Sequence, residues 1–94
     1  MAIADIDLDR AQKAASDIGD AAIAVKMDVT DQASIDAAVK SVEDAFGGID
    51  ILINNAALFT AAPIVEIERA DYDKVFSVNF AGTLFTLQAV AKSM

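Results

Sequence analysis

Three short apolar runs alternate with two stretches of helical periodicity inside the first 55 residues, and each run closes on a carboxylate or a carboxamide. Residues 2 to 6 read as a strand with Asp5 at its C-terminal end, and Leu8, Ala11, Ala15 and Ile18 then recur at helical spacing up to a stop at Gly19. A second run, Ala22 to Met27, is apolar except for Lys26 and is bounded by Asp20 and Asp28. Thr30 or Asp31 is placed to cap the next helix, whose stripe is Ile35, Ala38, Val39, Val42 and Phe46, ending at Gly47 and Gly48. Asp50 to Asn54 reads as a third strand; Ile51, Leu52 and Ile53 form the unbroken apolar run expected of a strand buried on both faces. Strands alternating with helices of this length imply a parallel sheet flanked by helices, an α/β fold. After Asn55 a loop through Pro63 leads to a long helical region from about Glu68 to Met94, interrupted near Asn79 to Gly82. Tyr72, Val75 and Phe76 mark its first apolar face, and Phe80, Leu84, Leu87, Val90 and Ala91 the later one.

Ninety-four residues fit one domain of ordinary size, and 55% hydrophobic against 23% charged residues is a globular balance. Seven basic against fifteen acidic side chains leave a net charge of −8, which repels phosphate backbones and anionic headgroups. Nucleic acid and membrane surfaces are therefore not expected partners. Cysteine and histidine are both absent, which removes disulfides, thiolate nucleophiles, zinc fingers and His-based catalysis from consideration. A reducing, cytoplasmic setting is the expectation. The uncharged stretches Ile51 to Val65 and Val75 to Ala91 are too short and too polar to read as membrane spans, and no secretory signal is visible at Met1.

Asp5, Asp7 and Asp9 alternate as in the opening of a calcium loop, but that loop needs Gly at its sixth position and Glu at its twelfth, where this chain has Arg10 and Ser16. No metal site is expected. Asp7 and Asp9 read as charges favoured at a helix N-terminus. Asp5 instead ends a strand, at the edge where open parallel sheets bind ligands, and an acidic residue there can accept both hydroxyls of an adenosine ribose. Asp28 ends the next strand. Alone it would read as a loop carboxylate, but together the two acids would face one crevice, and a nucleotide offers hydroxyl and amine donors to both. Asn54, Asn55, Ala56 and Ala57 leave the third strand at the same edge, as a turn or as a place where a ligand approaches the backbone. Asn79, in the apolar setting of Phe76 to Phe80, must find a partner; a kink or a buried bond explains it most simply.

Three segments in order and register, Asp28-Val29-Thr30, Gly48-Ile49-Asp50-Ile51-Leu52-Ile53-Asn54-Asn55-Ala56 and Tyr72 through Thr83, closely resemble the short-chain dehydrogenase/reductase family across essentially the whole chain. Asn54 to Glu66 is most similar to a bacterial polyol dehydrogenase branch acting on sorbitol or galactitol. The resemblance implies a partial Rossmann fold, the cofactor NAD, and hydride transfer involving a CH-OH group of a small-molecule alcohol or ketone. It implies that Asp5 binds the adenosine ribose and selects NAD over NADP, that Ile6 packs on the adenine, that Asp28 accepts from the adenine amine and that Val29 gives a backbone contact. Asn55 and Ala56 would line the ribose and nicotinamide side. Asn79 matches the Asn of the catalytic tetrad, and residues 83 to 94 match part of a subunit surface, so a homo-oligomer, dimer or tetramer, is expected of the parent.

The departures are equally definite. No G-x-x-x-G-x-G occurs, Ala57 stands where Gly is common, and Tyr72 has Phe76 rather than Lys four residues on. The catalytic Ser and Tyr-x-x-x-Lys pair would lie beyond Met94. The expectation is one incomplete dinucleotide-binding domain, residues 1 to 94, lacking its first strand-turn-helix unit and inactive in isolation. In the family the missing strand separates the first and third strands of this chain, so a closed three-stranded sheet is expected, with apolar surface left open. A non-catalytic nucleotide-binding or subunit-interaction module is the alternative. A phosphoacceptor receiver domain is disfavoured, because no Lys follows a later strand.

Overall fold

The computed structural model describes all 94 residues. Strand β1 (Ala2–Asp5) leads into helix α1 (Leu8–Ile18), then strand β2 (Ile23–Lys26) and helix α2 (Gln32–Phe46). Helices α3 (Arg69–Phe76) and α4 (Thr83–Ala91) follow, joined by one π-helical segment, Ser77–Gly82. β1 and β2 pair in parallel with Ala2 opposite Ile23 and Asp5 opposite Lys26, so both strands end at the same edge.

The local reasons are those of the sequence. Asp7 caps α1 by accepting from the amides of Asp9 and Arg10, and Gly19 closes it at φ 108°, a value that side-chain-bearing residues rarely adopt. Asp31, not Thr30, caps α2 by accepting from the amide of Ala33, and Gly47 ends it in the left-handed region. Ala11 and Ala15 turn inward from α1, and Ile35, Ala38 and Val39 from α2, while Leu8, Ile18 and Phe46 at the ends of the expected stripes remain exposed. The central cluster is Ile35, Val39 and Val90, with Met27, Ile49, Leu52 and Ala89 packed against it.

The third strand does not form. The sheet has two strands, and residues 51 to 62 adopt no regular secondary structure. Leu52 packs against the core, whereas Ile51 and Ile53 are 80% and 77% exposed. The segment thus keeps a strand's alternation of sides without a neighbour to donate or accept ladder bonds. The closed three-stranded arrangement is corrected with it: Leu52 seats on the cluster of α2 and α4, and no strand pairs with the free edge of β1.

Ile64, Val65 and Phe59 are also largely exposed, and only 9 of 94 residues are buried. The radius of gyration is 14.8 Å, against about 12 Å for a compact domain of this length. A chain with so little core has little to offset its conformational entropy. The isolated 94-residue chain is expected to melt broadly and to bind a dye that reports exposed apolar surface. A cooperative, reversible circular-dichroism transition above about 50 °C would contradict this.

Candidate functional site

Because β1 and β2 run in parallel and end in register, the residues that follow them share one edge. The amide of Met27 donates to the carbonyl of Asp5 at 3.0 Å, so Asp28 stands one residue beyond the last ladder bond. Each acid is organised by its own loop. Asp5 Oδ1 accepts from the amide of Asp7 at 2.8 Å and from Arg10 Nη2 at 2.9 Å. Asp28 Oδ1 accepts from the hydroxyl of Thr30 at 2.7 Å and from its amide at 2.9 Å, and the amide of Asp28 donates to Ser34 Oγ. The loop role that Asp28 would have by itself is therefore filled, and Asp5 has one too.

These bonds hold both groups ionised. The Asp7 amide, with the Arg10 guanidinium second, lowers the pKa of Asp5 below the ordinary 3.8. The Thr30 hydroxyl and then its amide do the same for Asp28. A carboxylate whose folded pKa is depressed stabilises the fold above its unfolded pKa and loses that contribution as pH falls through the folded value. Denaturant midpoints should thus be insensitive to these two groups above about pH 5 and fall on acidification below about pH 4. Asp5→Asn should flatten part of that fall; an unchanged acid limb would show that the Asp5 bonds contribute nothing.

The π-helical segment meets the chain just after Asp28, at Val29. Asn79 clasps the backbone of Leu58 twice: its Oδ1 accepts from the amide at 2.7 Å and its Nδ2 donates to the carbonyl at 2.8 Å. The carbonyl of Asn79 accepts from Thr83 Oγ1, and Asn54 Nδ2 donates to the carbonyl of Thr83 at 3.3 Å. The interruption expected near Asn79 is therefore a π-bulge, a widened turn often found at functional sites, and it anchors the loop that leaves Ile53. Gly82 closes the segment against the β2 exit: a Cβ there would lie 2.7 Å from Cγ2 of Val29.

The structure thus gathers Asp5, Asp28 and Val29 at one sheet edge, with Val29 touching the π-bulge that carries Asn79. Ile6 is 56% exposed beyond the tip of β1, and Asn55 and Ala56 are exposed on the anchored loop without hydrogen bonds of their own. Two hollows of about 320 Å³ lie elsewhere, one between α2 and α4 and one beside β2. Sequence reasoning missed Arg10 and Leu58. An arginine in the first turn after a strand-end acid was the available signal for the first. Leu58 acts through its backbone, which no side-chain pattern announces.

A parallel pair of strands with a helical crossover and acids at the shared C-terminal edge defines a Rossmann-type α/β protein. Solved structures agree. The chain superposes on 3-ketoacyl-(acyl-carrier-protein) reductase from Brucella melitensis, complexed with NADH, with a TM-score of 0.93 at 33% identity, covering 98% of this chain and 38% of that one. It superposes on gluconate 5-dehydrogenase from Burkholderia cenocepacia, in complex with NADP and tartrate, with a TM-score of 0.84 at 35% identity, covering 97% and 37%. The family model for short chain dehydrogenases matches residues 1–94, and the chain belongs to that family. It is 58% identical over its full length to sorbitol dehydrogenase of Cereibacter sphaeroides, and 55% identical over 98% of its length to galactitol 2-dehydrogenase of Agrobacterium fabrum. The chain spans 37% and 36% of those two relatives.

Proposed function

We propose that this chain is the cofactor-edge segment of an NAD-dependent oxidoreductase acting on the CH-OH group of a polyol or similar secondary alcohol. The observation that carries the reading is the pair of ionised carboxylates, Asp5 and Asp28, on one sheet edge beside a loop anchored by Asn79. The donor chemistry of an adenosine fits them. Every hydrogen bond to the carboxylate of Asp5 falls on Oδ1, as does every one to that of Asp28, so each has Oδ2 available as an acceptor. Asp5 would take ribose hydroxyls, and its charge disfavours a 2′-phosphate. Asp28 would take the exocyclic amine of adenine, with Val29 beside it and Ile6 as an apolar contact for the ring. Asn55 and Ala56 would border the second ribose and the nicotinamide, and Asn79 fixes their loop. When bound, the nicotinamide would supply the hydride acceptor for oxidation of the alcohol to a ketone.

Similarity to the sorbitol and galactitol enzymes supports a polyol substrate. We propose also that the parent is a homo-oligomeric, cytoplasmic enzyme, and that residues 1 to 94 form one incomplete dinucleotide-binding domain without activity in isolation. This sequence contains no Gly-rich phosphate turn and no Tyr-x-x-x-Lys pair, which supports that last reading.

The test is to add sorbitol or galactitol and NAD to the full-length protein carrying this segment and follow formation of reduced cofactor. Turnover is expected, and Asp5→Ala should weaken NAD binding by about tenfold, the scale of one lost charge-assisted bond. Full-length protein that binds no dinucleotide, or an Asp5→Ala variant that binds NAD unchanged, would refute the assignment.

A further inference from the structure

The loop of residues 54–58 is fastened at both ends to the same stretch of helix. Asn54 Nδ2 donates to the carbonyl of Thr83 at 3.3 Å, and the backbone of Leu58 is held by the carboxamide of Asn79 at 2.7 and 2.8 Å. Asn55 and Ala56 lie between the two tethers, and no ladder bond restrains them. Where they stand therefore depends on how Asn79 and Thr83 are set relative to each other. In a regular α-helix the amide of Thr83 would donate to the carbonyl of Asn79, four residues back. Here that amide donates to the carbonyl of Phe80, and the Thr83 hydroxyl donates to the carbonyl of Asn79 at 3.0 Å. Threonine often bonds the carbonyl four back in addition to the helix bond; in this turn its side chain stands in for the backbone donor, where the π-helical segment passes into α4.

We infer, resting on the dehydrogenase reading proposed above, that Thr83 is a positioning residue: its hydroxyl holds the wide turn open and so fixes the spacing of the two tethers that carry Asn55 and Ala56. Without the hydroxyl, the Asn79 carbonyl loses that donor and draws the Thr83 amide back to it, which closes the turn toward a regular helix. The Thr83 carbonyl that Asn54 holds moves with it, and the loop follows. The adenosine end does not, because Asp5 and Asp28 are each fixed by their own loops. Thr83 is exposed, so water replaces the lost bond and the fold loses little. The hydroxyl therefore acts on the reacting side of the site far more than on stability.

The test uses the full-length protein with NAD and sorbitol or galactitol, comparing the wild type with Thr83→Val, which keeps the β-branched shape, and Thr83→Ser, which keeps the hydroxyl. Each is taken through steady-state kinetics and a denaturation curve. Thr83→Val should lower kcat by about tenfold while the KM for NAD changes less than about twofold and the denaturant midpoint barely moves, and Thr83→Ser should restore most of the rate. A Thr83→Val kcat within about twofold of wild type, a loss that Thr83→Ser shares, or a rise in the KM for NAD as large as the fall in kcat would overturn the inference while leaving the dehydrogenase reading in place. A wild-type protein that reduces no NAD with either polyol would overturn both.

Discussion

On the dehydrogenase reading proposed above, replacing Asn79 with alanine should lower kcat of the full-length protein by about 100-fold while costing only about 1 to 2 kcal/mol of stability. The disparity follows from where the side chain acts. Its two bonds, at 2.7 and 2.8 Å, go to the backbone of Leu58 in an exposed loop, so water can replace them in the variant at modest cost. What water cannot replace is position. The loop carrying Asn55 and Ala56 is held to the helical region by the clasp and by the Asn54 bond to Thr83, and no ladder bond restrains it. A shift of about 1 Å in groups that face reacting atoms can cost two orders of magnitude in rate. Steady-state kinetics with a denaturation curve on the same preparation checks the separation. An Asn79→Ala enzyme with kcat within about twofold of wild type would show that the clasp is only structural.

The second large effect is steric. Gly82 has ordinary helical backbone angles, φ −59° and ψ −45°, so glycine is not there for conformational reasons. It is there for room: a Cβ would stand 2.7 Å from Cγ2 and 3.0 Å from Cβ of Val29. Alanine would gain about 1 kcal/mol in helix propensity and lose about 1 to 3 kcal/mol to overpacking against a β-branched side chain that has little rotamer freedom. Gly82→Ala should be net destabilising by about 1 kcal/mol, and Gly82→Val by more than about 3 kcal/mol. The double variant Val29→Ala, Gly82→Ala removes Cγ2 but not Cβ, so it should recover part of the loss, with a coupling energy of about 1 kcal/mol. Strict additivity in denaturant midpoints would show that the two residues do not meet.

Much of this arrangement was legible in the residues. The helical stripes, Gly19 and Gly47 as stops, and the break near Asn79 all follow from short-range rules, and α1, α2, α3 and α4 formed accordingly. Ile51 to Ile53 misled because an unbroken apolar run reports a preference for burial, whereas a strand also needs a partner, and pairing is not written in the run itself. The site divides in the same way. Asp5 and Asp28 were found by their place at strand ends, and the parallel register put them on one edge. Their local partners Arg10 and Thr30, and the bond from Asn79 to Leu58 across 21 positions, depend on how loops fold back. The family resemblance supplied the expected roles; the hydrogen bonds show what each side chain holds in this chain.

The wide turn at Ser77–Gly82 also sets a phase. Tyr72 and Phe76 stack with ring centres 4.5 Å apart, whereas Phe76 and Phe80 stand 6.5 Å apart, the ladder opening as the chain enters the turn. A turn holding one spare residue offsets everything downstream by about 100° relative to an uninterrupted helix. Thr86 and Val90, rather than the aromatic row, present themselves to the inner side of the chain, continuing the face that Val78 and Gly82 begin. The helix after the bulge thus closes the interior, while the one before it leaves its rings outside.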